Sequence, residues 1–186
     1  DLPLFIQLMY LTGNKNRVDI YLPSEFVEPF RVFMPALYLF PEKLPFEVNL
    51  IGYEDGFVYE EEFRLEAIGN RHLQGYSTYI EQYGYPNRMQ SHSLKVSVNN
   101  KSFLYSGDLG SLADIQKHLD GLDYVIIEAT HLDFGEFLEL AANISVGQYI
   151  LTHLGSQREI LELNQRARDN GLHNMITAVD GMVLTL

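Results

Sequence analysis

The sequence predicts an α/β fold in a single domain over residues 1–186, with antiparallel hairpins first and strand and helix in alternation later. Two patterns carry this. Between residues 46 and 105, alternating runs are joined by turn dipeptides; beyond Asp108, apolar runs of buried-strand type alternate with amphipathic segments. A third observation bounds it: 46% of residues are hydrophobic and no repeat or low-complexity linker divides the chain, so one sizeable core is expected.

In chain order, Leu4, Phe5, Leu8, Met9 and Leu11 follow helical spacing behind Pro3, and Gly13-Asn14 stops the helix. Val18 to Leu22 alternates up to Pro23, a short strand. Pro29, Pro35 and Pro41 divide residues 24–40, which predicts a broken helix or two short ones. Phe46–Ile51 and Glu62–Ile68 alternate around Glu54-Asp55-Gly56, predicting an antiparallel pair, and Arg71 to Gln90 has no sustained period, predicting an irregular loop. His92–Val98 and Ser102–Tyr105 form the next hairpin across Asn99-Asn100.

Further on, Ser111 and Asp114 match a capping box, with Leu112, Ile115 and Leu119 as the buried stripe. Tyr124–Ile127 and Gln148–Thr152 read as buried strands flanking a helix face of Phe134, Phe137, Leu138 and Ala141. Ser156 and Glu159 cap a helix with Ile160, Leu163 and Ala167 inward, ending at Gly171. Two strands, 175–178 and 182–186, close the chain around the turn Asp180-Gly181.

Composition limits the chemistry. The sequence has no cysteine, so disulfides and thiolate metal sites are excluded, and a metal must be held by His and carboxylate, a set that suits zinc, manganese or iron. A net charge of −12 opposes a phosphate backbone, and the 13 Lys and Arg do not gather. No run reaches the eighteen or so apolar residues of a membrane span and no signal-peptide pattern opens the chain, so a cytoplasmic location without membrane contact is expected.

Three ligand-capable side chains each stand just after a predicted strand: His72, Asp108 in Ser106-Gly107-Asp108, and His153 after Tyr149-Ile150-Leu151-Thr152. Strand ends on one sheet edge converge, so these distant residues can meet there. Each has a plain alternative: His72 as a loop histidine, Asp108 as a turn or helix-cap residue, His153 as a buried structural histidine.

Four segments carry a resemblance. Ser106-Gly107-Asp108-Leu109-Gly110, Ile127-Glu128-Ala129-Thr130, Leu151-Thr152-His153 and Ala178-Val179-Asp180-Gly181-Met182 resemble, in order and spacing, motifs of metallo-β-lactamase-fold hydrolases of the ribonuclease Z branch. The resemblance covers nearly the whole chain and implies an αββα fold in which the His-x-His-x-Asp-His segment lies upstream of Asp1-Leu2-Pro3. It implies a dinuclear hydrolase of a phosphodiester or other ester, acting through a metal-bridging hydroxide on a small-molecule or nucleotide-type substrate. Two divalent cations would be bound, with zinc favoured over manganese or iron. It makes Asp108 the bridging carboxylate, His153 a ligand of the second cation and His72 the remaining His ligand, with His92 as its competitor. Glu128 and Thr130 would then support the ligands from behind. On this count residues 1–186 alone fall short of the ligands a catalytic metal pair needs.

The chain departs from ribonuclease Z in four places. Ile127 replaces the His before Glu-Ala-Thr, and Glu136-Phe137-Leu138-Glu139 stands where His-Ser-Thr occurs. Leu154-Gly155-Ser156-Gln157-Arg158 replaces the Arg-Tyr ending, and a Tyr-rich segment replaces the long arm that grips transfer RNA. Transfer RNA processing is therefore in doubt, and His131 has two readings, a plain loop histidine or a replacement for the missing proton donor. The alternative is a metal-free binding or assembly module of the same fold. Tyr76, Tyr79, Tyr83 and Tyr85 fit a substrate entrance, a homodimer interface or packing within the loop equally well.

Overall fold

A computed structural model describes residues 1–184. By their internal contacts the residues fall into two compact units, Asp1–Glu54 and Asp55–Leu186.

The first unit holds helix α1 (Leu2–Leu11), strand β1 (Val18–Pro23), helix α2 (Ser24–Ala36) and strand β2 (Val48–Tyr53). Helix α1 forms where its spacing predicts, but it buries Ile6 and leaves Leu4, Leu8 and Leu11 exposed. Helix α2 runs unbroken through Pro29 and Pro35, which corrects the broken helix expected from the prolines. Its Phe30 and Met34, four residues apart on one face, are buried with Ile6, Ile20 and Leu22, and this packing offsets the roughly 3 kcal/mol that an interior proline costs. The hairpin expected around Glu54-Asp55-Gly56 is also corrected, because β2 pairs in parallel with β1. Asp55-Gly56 is a turn all the same, with Gly56 at φ 77°.

Among the described residues, the second unit is built on a seven-stranded sheet in sequence order, β3 (Val58–Glu60), β4 (Arg64–Asn70), β5 (Ser91–Val98), β6 (Lys101–Tyr105), β7 (Tyr124–Glu128), β8 (Gln148–Thr152) and β9 (Met175–Thr177). Pairing is antiparallel from β3 to β6 and parallel from β6 to β9. Asn99 and Asn100 take φ of 50° and 63° between β5 and β6, the left-handed pair a two-residue hairpin turn needs. Residues 71–90 are less irregular than predicted: a 3₁₀ turn (His72–Tyr76) leads into helix α3 (Ser77–Tyr83), ended by left-handed Gly84. Helix α3 has no buried residue, so no apolar stripe announced it.

The core of this unit joins Leu104, Val125, Ile127, Tyr149 and Leu151 of the sheet to Phe134 and Phe137 of helix α4 (Phe134–Ala141) and Ala167 of helix α5 (Gln157–Asp169). Both capping boxes form, at Ser111/Asp114 and Ser156/Glu159, but the first opens two 3₁₀ turns rather than an α-helix. Replacing Ser156 by Ala removes the acceptor for the Glu159 N–H, and a loss of about 1 kcal/mol in denaturant unfolding is expected. No measurable loss would show the cap to be dispensable. Asp180-Gly181 makes the predicted turn, with the Met182 N–H bonded to Val179 O at 3.0 Å. Residues 182–184 carry no strand, and residues 185–186 of the predicted closing strand lie outside the described residues. Among the described residues no helix is long and apolar enough to cross a membrane.

Candidate metal centre

Strands β4, β6, β7 and β8 run in one direction, since β5 is antiparallel to both β4 and β6 and the later strands are parallel. Their ends therefore lie on one edge of the sheet, and there the chain places His72 after β4, Asp108 after β6, His131 after β7 and His153 after β8. Strand β5 runs the other way and begins at this edge; its His92 pairs opposite Gly69 and belongs to neither donor group described below.

Asp108 stands between two histidines. Its Oδ2 lies 3.8 Å from His72 Nε2 and its Oδ1 lies 3.2 Å from His153 Nδ1. His131 stands between the same two rings, at 5.1 Å from His72 and 5.8 Å from His153 by centroid. Two groups bring ligand atoms within 4.8 Å of one another: His72, Asp108 and His131, and Glu128, His131 and His153. Donors about 2.0–2.2 Å from a tetrahedral ion are roughly 3.3 Å apart, so the donor set fits a divalent cation after small side-chain movements.

Behind these loops runs a chain of polar contacts. The buried polar or charged residues among those described are Asn70, Ser93, Ser106 and Glu128, and all four are linked. The His72 N–H donates to Asn70 Oδ1 at 3.1 Å, and Asn70 Nδ2 donates to Ser93 Oγ at 3.3 Å. Ser93 Oγ donates to Ser106 O at 2.6 Å, and the Glu128 N–H donates to Ser106 Oγ at 3.0 Å. The Glu128 carboxylate then accepts from the N–H groups of Leu109 at 3.3 Å and His131 at 2.8 Å, with His131 Nδ1 3.2 Å away. Buried polar groups are costly unless satisfied, so their concentration beneath one sheet edge marks where the fold has spent its polar interior.

Two further features fix the loops. Arg71 donates through Nε to Asp114 Oδ1 at 2.6 Å and through its backbone N–H to Oδ2 at 3.1 Å, tying the His72 loop to the Asp108 loop. Burial pushes the Asp114 carboxyl up, but hydrogen bonds from Arg71 and Ser111 outweigh it and hold the group below the usual carboxylate range. Gly110 permits this approach, because a Cβ there would meet the Arg71 carbonyl carbon at 2.7 Å. His153 has φ of 51°, an uncommon conformation for a non-glycine residue, and Thr130 Oγ1 holds its carbonyl at 2.6 Å.

The structure thus brings together His72, Asp108, His131 and His153, all singled out in the sequence, with Glu128 and Thr130 behind them. The sequence did not reveal that His131 belongs to both donor groups. Its available signal was the spacing Glu128 to His131, a charged residue closing an apolar strand with a histidine three residues on.

No family model matches the sequence, and no curated protein does. Solved structures do match. The metallo-β-lactamase-fold protein YhfI from Bacillus subtilis is similar over 97% of this chain and 69% of its own, at 15% identity and a TM-score of 0.67. Human tRNase Z, short form, is similar over 99% of this chain and 73% of its own, at 18% identity and a TM-score of 0.61. A diphosphatase from the PhnP family is similar over 96% and 62%, at 15% identity and a TM-score of 0.57.

Proposed function

From the metallo-β-lactamase fold that this chain carries, we propose that it is a dinuclear metal-dependent hydrolase of a phosphodiester or other ester. The observation that carries the reading is Asp108, whose two carboxylate oxygens face two different histidines, an arrangement that suits a carboxylate shared between two cations. When bound, such cations supply Lewis acidity at the attacked oxygen and lower the pKa of the attacking water. This chain's part is to orient and to exclude. Asp108 gives one oxygen to each side, His72 and His153 complete the flanks, and the buried Glu128 fixes the loops bearing Asp108 and His131. A cavity of about 300 Å³ lined by Thr130, His153, Leu163 and Arg166 adjoins the centre and gives room for a substrate's remaining arm.

Transfer RNA is a poor fit despite the likeness in fold to tRNase Z. The surface carries a net charge of −12, and residues 72–83 fold into a 3₁₀ turn and a seven-residue helix where the resemblance calls for a long arm. The full-length protein, stripped by chelation and reloaded with zinc or manganese, is expected to hydrolyse a simple phosphodiester such as bis(p-nitrophenyl) phosphate only when loaded. Its turnover on precursor transfer RNA is expected to stay below about 1 per second at physiological salt. Faster cleavage of the precursor would reinstate the transfer RNA role. Absence of metal-dependent hydrolysis on every ester class would instead favour a binding module.

A further inference from the structure

From the sequence His131 is a loop histidine or a replacement for the missing proton donor, whereas the geometry points to another use. We propose that His131 is a metal ligand, and that His72, Asp108 and His131 hold one divalent cation with three donors carried entirely by this chain. The proposal rests on the metal-dependent reading above and deepens it.

Three observations converge. His72, Asp108 and His131 offer donor atoms within 4.8 Å of one another, and the side chains are 26%, 44% and 42% exposed, free enough to draw in by the remaining ångström. Asp108 meets His72 through Oδ2 while Oδ1 faces His153, so this cation takes nothing from a neighbour on the other side. Behind His131 stands a 2% exposed carboxylate, with Glu128 Oε1 3.2 Å from Nδ1. A ligating histidine typically donates its second ring N–H to such a carboxylate, which fixes the tautomer and leaves Nε2 with a lone pair for the metal. The count also closes, because a catalytic zinc takes three protein ligands and keeps a fourth position open. Two histidines and one carboxylate suit zinc, and equally iron(II) or manganese(II).

The test uses the full-length protein, stripped of metal and titrated with cobalt(II), read by visible absorption and by competition with a chromophoric chelator. His131→Ala should weaken one of the bound cobalt ions by more than about 100-fold and change its absorption, exceeding the roughly 10–100-fold expected for Glu128→Gln. Far-ultraviolet circular dichroism of the stripped protein should stay unchanged, and His131→Gln provides a second variant should the alanine misfold. Unaltered cobalt stoichiometry and affinity in both variants, with kcat lowered roughly 10²–10⁴-fold, would overturn the proposal and return His131 to proton transfer. Failure of the unsubstituted protein to bind cobalt would overturn the metal-dependent reading as well, so the two failures are distinguishable.

Discussion

Asp108→Ala should abolish metal-dependent hydrolysis, with a fall of more than about 10³-fold, beyond the 10–100-fold that follows loss of a partner behind a ligand. The reason is its position: removing one carboxylate takes a donor from His72's side and from His153's side at once. Metal content, measured by elemental analysis of full-length wild type and variant, should fall with the activity. The fold should survive, since the Asp108 side chain is 44% exposed and supports no core. A variant that keeps both its metal and its rate would remove Asp108 from the centre and leave the dinuclear reading without its main support.

Glu128→Ala carries the second large effect, on stability and metal affinity together. The carboxylate is 2% exposed and accepts from the N–H groups of Leu109 and His131; without it these lose their partner. Each buried unsatisfied group costs about 1–3 kcal/mol, so a loss of about 3 kcal/mol in all is expected, or a melting temperature lower by roughly 6–12 °C. Metal affinity should fall roughly 10–100-fold because both anchored residues bear on the site. A melting temperature within a degree or two of wild type would mean that water replaces the carboxylate, and that Glu128 is not the anchor described above.

The site was more legible in the sequence than the pairing of strands was. Asp108 and His153 could be found because each follows an alternating or apolar run directly, and local pattern decides where a strand ends. The two capping boxes at Ser111 and Ser156 were legible for the same reason, being contained within four residues. Pairing is a tertiary matter: β2 looked like one arm of a hairpin, yet its partner is β1, some thirty residues upstream, in the register Val18 to Val48. Helix α2 hid behind Pro29 and Pro35, whose local cost is overridden by the burial of Phe30 and Met34. Glu128 stands behind the ligands in the sequence only through the resemblance, because nothing in its neighbours discloses that Ser106, Leu109 and His131 surround it.

The single sheet edge also has a bearing on how the protein matures. His72 and His153 are 81 residues apart (153 − 72), and between them lie β5, β6, β7 and β8, which must be laid down in register before the two rings face the same carboxylate. Closing such distant contacts is slow compared with forming local turns. A nascent or partly unfolded chain thus has scattered imidazoles and no converged donor set, so under the proposed function metal capture would report completion of the sheet. On that proposal, added cation would stabilise only the finished form, by RT ln(1 + [L]/Kd), and draw late intermediates toward it.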